Sequence, residues 1–239
     1  MGKGKRLRDN RRAGDSAVPG AGTTEAGTSP PTDASKDAGP FDATPIENEL
    51  DAARKQARDM VRGALKMFGP RGELYESHFP LMGFIERAQA FSLGAIVMIE
   101  AGNPLSAATL LRSLAENLAT AFYVTKRPEA LAKLQPGAEH GLPVGQVIAA
   151  AEKSLPGFKK MYDELSSMAH PSGAGGFHTL RADGNEITWQ SHPRFKDASQ
   201  AHDFLALLAA LSHRSEQVIT ATVEQFALRD AAREGAASC

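Results

Sequence analysis

The sequence predicts a mainly α protein, an up-and-down helical bundle that carries a small β-hairpin appendage and a disordered N-terminal tail. Three observations lead to this prediction. Apolar residues recur at alternating steps of three and four along most of the chain after residue 43. Gly and Pro separate these stretches, as they commonly do at the ends of helices. Residues 1–43, in contrast, contain almost no large aliphatic side chains.

The N-terminal tail, residues 1–43, cannot bury enough apolar surface to offset the entropy of ordering its backbone, so we expect it to be disordered. It begins with a basic cluster and continues as a Gly- and Pro-rich stretch. The cluster could contact RNA, DNA or anionic lipid through charge, but it lacks aromatic side chains and helical periodicity. A solvated leader is the simpler interpretation. The basic residues are Lys3, Lys5, Arg6, Arg8, Arg11 and Arg12.

Three long helices are predicted after the tail. Thr44 and Glu47 form a predicted capping box around Pro45, and the helix that starts there ends at Gly69. A second helix is predicted over residues 81–101, after a connector that ends at Pro80. Its second half is apolar on nearly all sides, which indicates a central position in a bundle. The third helix, residues 104–126, has a regular stripe of apolar side chains for the core.

The rest of the domain alternates shorter elements with one long helix. Short helices are predicted over residues 129–134 and 144–155. A further helix opens at Pro156 and closes at His170, because the residue before a proline is disfavoured in the α conformation. Residues 177–182 and 186–190 predict a β-hairpin with a Gly-containing turn. A last helix, residues 199–228, completes a domain that spans residues 44–228, and residues 229–239 form a tail that we expect to fray.

Composition limits the classes of function. Basic and acidic residues number 27 and 28, so a net charge of −1 creates no overall field toward nucleic acid, membranes or acidic substrates. Cys239 is the only cysteine, which excludes internal disulfides and zinc sites of several thiolates and favours a cytoplasmic location. The most apolar internal run, residues 90–99, is too short to span a bilayer. We therefore predict no membrane insertion, and no motif predicts a cofactor.

Five polar side chains on two predicted helices form the candidate functional site. Arg112 and Glu116 stand four residues apart on the third helix, so both project from one stripe. Tyr162, Ser166 and His170 also recur every four residues on the later helix. If the two helices are neighbours, all five side chains share one groove. No metal site is predicted, because the histidines show no ligand spacing such as H-E-x-x-H.

Two interpretations of this cluster stay open. In the structural interpretation, Arg112 pairs with Glu116, while Ser166 and His170 hydrogen-bond across the helices, because buried polar groups need partners. In the catalytic interpretation, His170 transfers protons, Arg112 and Tyr162 position a phosphate, and Glu116 orients Arg112. These groups are the minimum set for metal-independent cleavage of RNA.

The same two helices carry a family resemblance. The run Leu-Leu-Arg-Ser-Leu-Ala-Glu at 110–116, continued by Tyr-Val-Thr-Lys-Arg-Pro-Glu, and the later run Tyr-Asp-Glu-Leu-Ser-Ser-Met-Ala-His-Pro-Ser at 162–172 resemble an uncharacterised bacterial family related to the HEPN superfamily. The resemblance spans roughly residues 81–172. It implies an up-and-down helical bundle, often a dimer, that is either an RNase of defence or toxin systems or a non-catalytic binding domain.

One departure from the superfamily separates these two functions. Its RNases carry an arginine a few residues before the histidine on the same helix, whereas Asp163, Glu164, Leu165 and Ser166 stand before His170. We therefore expect a non-enzymatic binding module, with a metal-independent endoribonuclease as the alternative. The expected partners are a second copy of the chain and an RNA or nucleotide ligand. The sequence does not identify a protein partner.

Overall fold

The computed structural model describes residues 41–65, 78–135, 137–138, 141–170, 180–183, 186–189 and 193–237. Most of these residues are helical, as the sequence predicts. The predicted tail up to residue 40 lies outside the described residues. The α-helices are α1 (Glu47–Leu65), α2 (His78–Glu100), α3 (Pro104–Lys126), α4 (Val144–Glu152), α5 (Phe158–Ala169) and α6 (Ala198–Ala237), and the 3-10 helices are Thr44–Ile46 and Pro128–Leu134.

The packed chain begins earlier than the predicted boundary at residue 43. Phe41 packs partly buried against the core, with its ring centroid 5.6 Å from that of Phe195. Ala43 is the N-cap residue of the first turn, and no side chain caps it. Oδ1 of Asp42 accepts a 3.0 Å hydrogen bond from the backbone N–H of Thr44. Thr44 itself is the first residue of a 3-10 turn that leads into α1. The prediction that Thr44 caps this helix was therefore wrong.

The next two helices differ in how closely they follow the predicted bounds. α2 begins at His78, so Phe79 and Pro80 belong to its first turn and not to a connector. Proline is tolerated there because the first backbone N–H groups of a helix have no intrahelical acceptor. α3 has the predicted bounds. Its start is fixed by Asn103, whose Oδ1 accepts a 3.1 Å hydrogen bond from the Ser106 N–H.

The hydrophobic core lies among α1, α2, α3 and α6, where α2, α3 and α6 contact one another and α1 packs against α2 and α6. α3 also packs against two further helices, α4 and α5. Leu111, Leu114 and Leu118 are buried on the predicted core stripe of α3. This packing places α3 beside α5, which is the condition on which the predicted groove depends.

The C-terminal helix is longer than the sequence predicts. α6 continues to Ala237, beyond the expected end at Leu228. Leu228 is 74% exposed, whereas Phe226 is buried. The segment after Leu228 is rich in alanine, the residue with the highest helix propensity, which favours a helical backbone there.

Two short strands follow α5. β1 (Leu180–Asp183) and β2 (Glu186–Trp189) pair antiparallel, with Leu180 opposite Trp189. The turn at residues 184–185 and the side chains of both strands lie outside the described residues. The hairpin as an appendage of the domain therefore stays a prediction.

α2 is the one helix of the described chain that is both long and apolar enough to be compared with a membrane-spanning segment. By length and composition it could cross a membrane, and 39% of its most apolar window is buried in the protein. A core helix of a soluble protein passes the same test. The prediction that the chain does not insert into a membrane therefore stays a prediction.

Candidate functional site

α3 and α5 bring three of the five predicted site residues into direct contact. Nη2 of Arg112 lies 3.0 Å from Oε1 of Glu116, one helical turn away on α3. Tyr162 on α5 donates a 2.6 Å hydrogen bond to the same Oε1. The Tyr162 hydroxyl also accepts hydrogen bonds from Nη2 and Nε of Arg112, at 3.0 and 3.2 Å. The three side chains thus form a closed triangle of one ion pair and three hydrogen bonds across the α3–α5 contact.

The start of α5 is held by a turn that determines where Tyr162 lies. Gly157, at a φ of +88°, adopts the left-handed conformation immediately before the helix. Glu152 at the end of α4 accepts hydrogen bonds from the backbone N–H groups of Gly157 and Lys159, at 3.1 and 2.7 Å. These bonds lower the pKa of Glu152, that from Lys159 more than that from Gly157, and keep the carboxylate ionised. One short loop therefore couples α4 to the first turn of α5.

The pKa values of Tyr162 and Arg112 are both raised within the triangle. Burial raises the pKa of Tyr162 above its ordinary value of 10.0, and the hydrogen bond to Glu116 acts in the same direction. The hydrogen bond to Tyr162 raises the pKa of Arg112, and Glu116 adds to this rise. The side chains of Arg112 and Glu116 are 26% and 27% exposed, so their ion pair is neither fully buried nor on the open surface. Near neutral pH a neutral phenol bridges a charged pair.

The other two predicted site residues do not join this triangle. Ser166 offsets part of the rise in the pKa of Tyr162. Its buried Oγ nevertheless makes no hydrogen bond of normal geometry in the described part of the chain. His170 follows the last residue of α5 in extended conformation, and its backbone N–H donates to the Ser166 carbonyl at 3.0 Å. Its imidazole is exposed and has no hydrogen bond or ion pair within the described residues.

A cleft between α2 and α3 lies on the other side of Glu116. It has a volume of about 410 Å³ and is open to solvent. Among its polar side chains, Asn117 donates to the Phe84 carbonyl at 2.9 Å and Thr120 donates to the Glu116 carbonyl at 2.7 Å, so their donors are committed within the protein. The lining residues are Phe79, Pro80, Gly83, Phe84, Arg87, Glu116, Asn117, Thr120 and Leu134.

The sequence analysis missed this cleft. Phe79, Gly83 and Arg87 recur every four residues and share one stripe of α2, which is a signal that the sequence contains. The interpretation of Phe79 as part of a connector concealed that signal. Glu116 is the one predicted site residue in the lining, and it joins the triangle to the cleft.

A second polar cluster on α3 is separate from the triangle. The Tyr123 hydroxyl accepts hydrogen bonds from Arg127 at 2.9 Å and from Gln146 on α4 at 2.6 Å. The Arg127 guanidinium also lies 5.1 Å from the centroid of the Tyr123 ring. Tyr123 is 5% exposed, so this cluster fastens α4 to α3 and offers little surface to a ligand.

No group of three or more His, Cys, Asp or Glu side chains with metal-site geometry occurs in the described ranges. Asp163 and Glu164 of α5 pair with Lys159 and Lys160 on the same helix.

Comparisons with protein families, with curated proteins and with solved structures found no match for this chain. The resemblance to the HEPN superfamily thus stays a prediction from the sequence.

Proposed function

We propose that the protein is a non-enzymatic helical binding module. One observation carries this proposal: Arg112 and Tyr162 fix Glu116 in the wall of the cleft. The guanidinium and phenol that would hold a phosphate in an RNase are hydrogen-bonded to each other, and Glu116 is ion-paired with the guanidinium and hydrogen-bonded to the phenol. His170 stands apart from them, two helical turns beyond Tyr162, or about 12 Å along the helix axis. This arrangement supports recognition more than turnover.

The proposal includes the finer architecture and partners that the sequence predicts. They are an up-and-down bundle with a β-hairpin appendage, a relationship to the HEPN superfamily, a bacterial and cytoplasmic setting, a homodimer, and an RNA or nucleotide partner. Sedimentation at micromolar concentration tests the dimer, for which we expect twice the mass of the chain. A folded monomer at that concentration would contradict it.

A fluorescent dye tests whether the cleft binds a small molecule, independently of the proposed homodimer and of the RNA or nucleotide partner. Anilinonaphthalene sulfonate has a planar apolar ring and an anion, which suit the Phe79 and Arg87 sides of the cleft. We expect its fluorescence to rise on binding, and Phe79→Ala to reduce the rise severalfold. Val97→Ala is the matched control, because Phe79 and Val97 lie on α2 with 59% and 53% exposure and only Phe79 lines the cleft. Equal binding by the two variants would contradict the proposal.

The metal-independent endoribonuclease is the second candidate, favoured by the exposed imidazole of His170, which has no partner in the described part of the chain. Incubation of the full chain with labelled total RNA in chelator tests it directly. On our proposal the wild type and His170→Ala both leave the RNA intact. Cleavage by the wild type that is lost in His170→Ala would replace the binding module with the nuclease.

A further inference from the structure

The cleft is lined by apolar side chains together with one acidic and one basic side chain, Glu116 and Arg87. Phe79, Pro80, Phe84 and Leu134 supply the apolar surface. Its volume of about 410 Å³ is typical of small-molecule sites, which occupy roughly 300–1,000 Å³. Apolar surface of this kind binds an aliphatic or aromatic group through the hydrophobic effect.

The negative group of the cleft is Glu116. Its Oε1 accepts a hydrogen bond from Tyr162 and forms an ion pair with Arg112, and these two contacts hold the carboxylate in position. Its Oε2 has no hydrogen-bond partner in the described ranges. A carboxylate oxygen is an acceptor only, so the ligand group that it suits is a donor, and a cationic donor gives the strongest hydrogen bond.

The positive group is Arg87. It is exposed, and among the described residues it forms no ion pair. Its guanidinium lies 5.2 Å from the centroid of the Phe91 ring, which restrains the side chain and leaves the N–H donors available. The planar guanidinium matches a carboxylate in bidentate geometry.

We infer that the cleft binds an α-amino acid with an apolar side chain. This inference rests on the proposed binding function and names the ligand class of the same site. The ligand's ammonium group donates to Oε2 of Glu116, its carboxylate accepts from Arg87, and its side chain packs against Phe79 and Phe84. A purely anionic ligand would leave Oε2 of Glu116 unpaired, and a purely cationic one would leave Arg87 unpaired.

Calorimetric titration of the full chain with four compounds tests each contact. Phenylalanine is the reference ligand. Phenylalaninamide lacks the carboxylate and N-acetylphenylalanine lacks the ammonium group, and we expect each to bind about tenfold more weakly or worse, because each loses a charge-assisted hydrogen bond. The dipeptide phenylalanylglycine carries both charges at a greater separation. Tighter binding of the dipeptide than of phenylalanine would identify a short peptide as the source of the same chemistry.

Two variants assign the charged contacts to residues. Arg87→Ala should remove the difference in affinity between phenylalanine and phenylalaninamide, while Arg58→Ala, an exposed arginine on α1 that does not line the cleft, should preserve it. Glu116→Gln should remove the difference between phenylalanine and N-acetylphenylalanine. Arg87 is exposed and lies outside the triangle, so its variant tests the inference even if Glu116→Gln unfolds.

The outcomes separate this inference from the proposed function. If the dye binds in the cleft but phenylalanine and the dipeptide neither bind nor displace it, the amino acid class is wrong and the binding module stands. If the dye, phenylalanine and the dipeptide all fail to bind, both proposals fail. Equal affinities for phenylalanine and its two singly charged analogues would also overturn the inference.

Discussion

Tyr162 on α5 donates a 2.6 Å hydrogen bond to Oε1 of Glu116 on α3. Arg112 binds the same oxygen from one turn away, at 3.0 Å. The Tyr162 hydroxyl thus links α5 to the ion pair on α3. The hydroxyl and the guanidinium can be removed separately, and each removal has a different expected effect.

Removal of the Tyr162 hydroxyl should destabilise the fold moderately. Tyr162→Phe keeps the ring but leaves Glu116 and Arg112 without the bridge. We expect a loss of about 1–3 kcal/mol in the free energy of unfolding, the range for hydrogen bonds to charged groups. Urea unfolding at neutral pH measures this loss. An unfolding curve that overlays the wild type would show that the bridge contributes nothing to stability.

The effect of Tyr162→Phe should also depend on pH. The pKa of Tyr162 in the folded protein is raised above 10.0 by burial and then by Glu116. Its contribution to stability is therefore complete below pH 10 and is lost as the pH rises through the folded-state pKa. The difference in unfolding free energy between wild type and Tyr162→Phe should shrink above pH 10, because all other titrating groups are common to both proteins. A difference that is constant up to pH 11 would contradict the prediction.

Arg112→Ala tests the ion pair. Exposed pairs contribute about 0–1 kcal/mol, and loss of one member of a buried pair costs about 3–5 kcal/mol. The side chain of Arg112 is 26% exposed, so we expect an intermediate loss of about 1–3 kcal/mol. Thermal unfolding measures it, at about 2–4 °C of Tm per kcal/mol. Arg58→Ala is the exposed control and should leave Tm nearly unchanged, so equal melting curves for the two variants would contradict the prediction.

The sequence could predict part of this site and not the rest. Spacing of four residues placed Arg112 with Glu116, and Tyr162 with Ser166 and His170, because helical geometry alone decides which residues share a stripe. It could not show that His170 lies beyond the triangle, since spacing fixes distances along one helix but not which of its turns faces a neighbouring helix. Packing of α5 on α3 decides which turn makes the contact.

The fold, like the site, has parts that local sequence signals predict and parts that depend on contacts between residues distant in sequence. Local signals predicted α3 completely, because Asn103, Pro104 and the apolar stripe all act within that segment. The packing of Phe41 could not be predicted, since its partner Phe195 is far away in sequence. The cleft was missed because Phe79 was assigned to a connector, and because Arg87 and Glu116 line one cleft only through the packing of α2 on α3.

Truncation should locate the start of the stable domain. A chain that begins at Thr44 lacks the Phe41 ring that packs on Phe195, the Asp42 carboxylate that accepts from the Thr44 N–H, and Ala43, which packs against the core. We expect the free energy of unfolding of the shorter chain to be lower by about 1–3 kcal/mol, because a partly buried aromatic side chain is lost from the core. Urea unfolding of the two chains measures the difference. Coincident curves would restore the boundary at residue 43.

Gly102 lies in the turn between α2 and α3, against the side chain of Phe41. It has a φ of +71°, and an added Cβ would lie 2.4 Å from the Cβ of Phe41. We expect Gly102→Ala to lower the free energy of unfolding by about 1–3 kcal/mol, because backbone strain and a steric clash add. Gly83→Ala is the control, since an added Cβ there meets nothing within 4 Å and alanine favours the helix by about 0.5–1 kcal/mol.

The two causes of the Gly102→Ala loss can be separated in the chain that begins at Thr44. Deletion of Phe41 removes the clash but leaves the left-handed conformation at residue 102, so the substitution should destabilise the shorter chain less than the longer one. Backbone strain of about 1–2 kcal/mol should remain. Urea unfolding of both chains with and without the substitution gives this coupling energy. Equal losses in the two chains would mean that Phe41 does not press on the turn, and that its packing against Phe195 leaves room for a side chain.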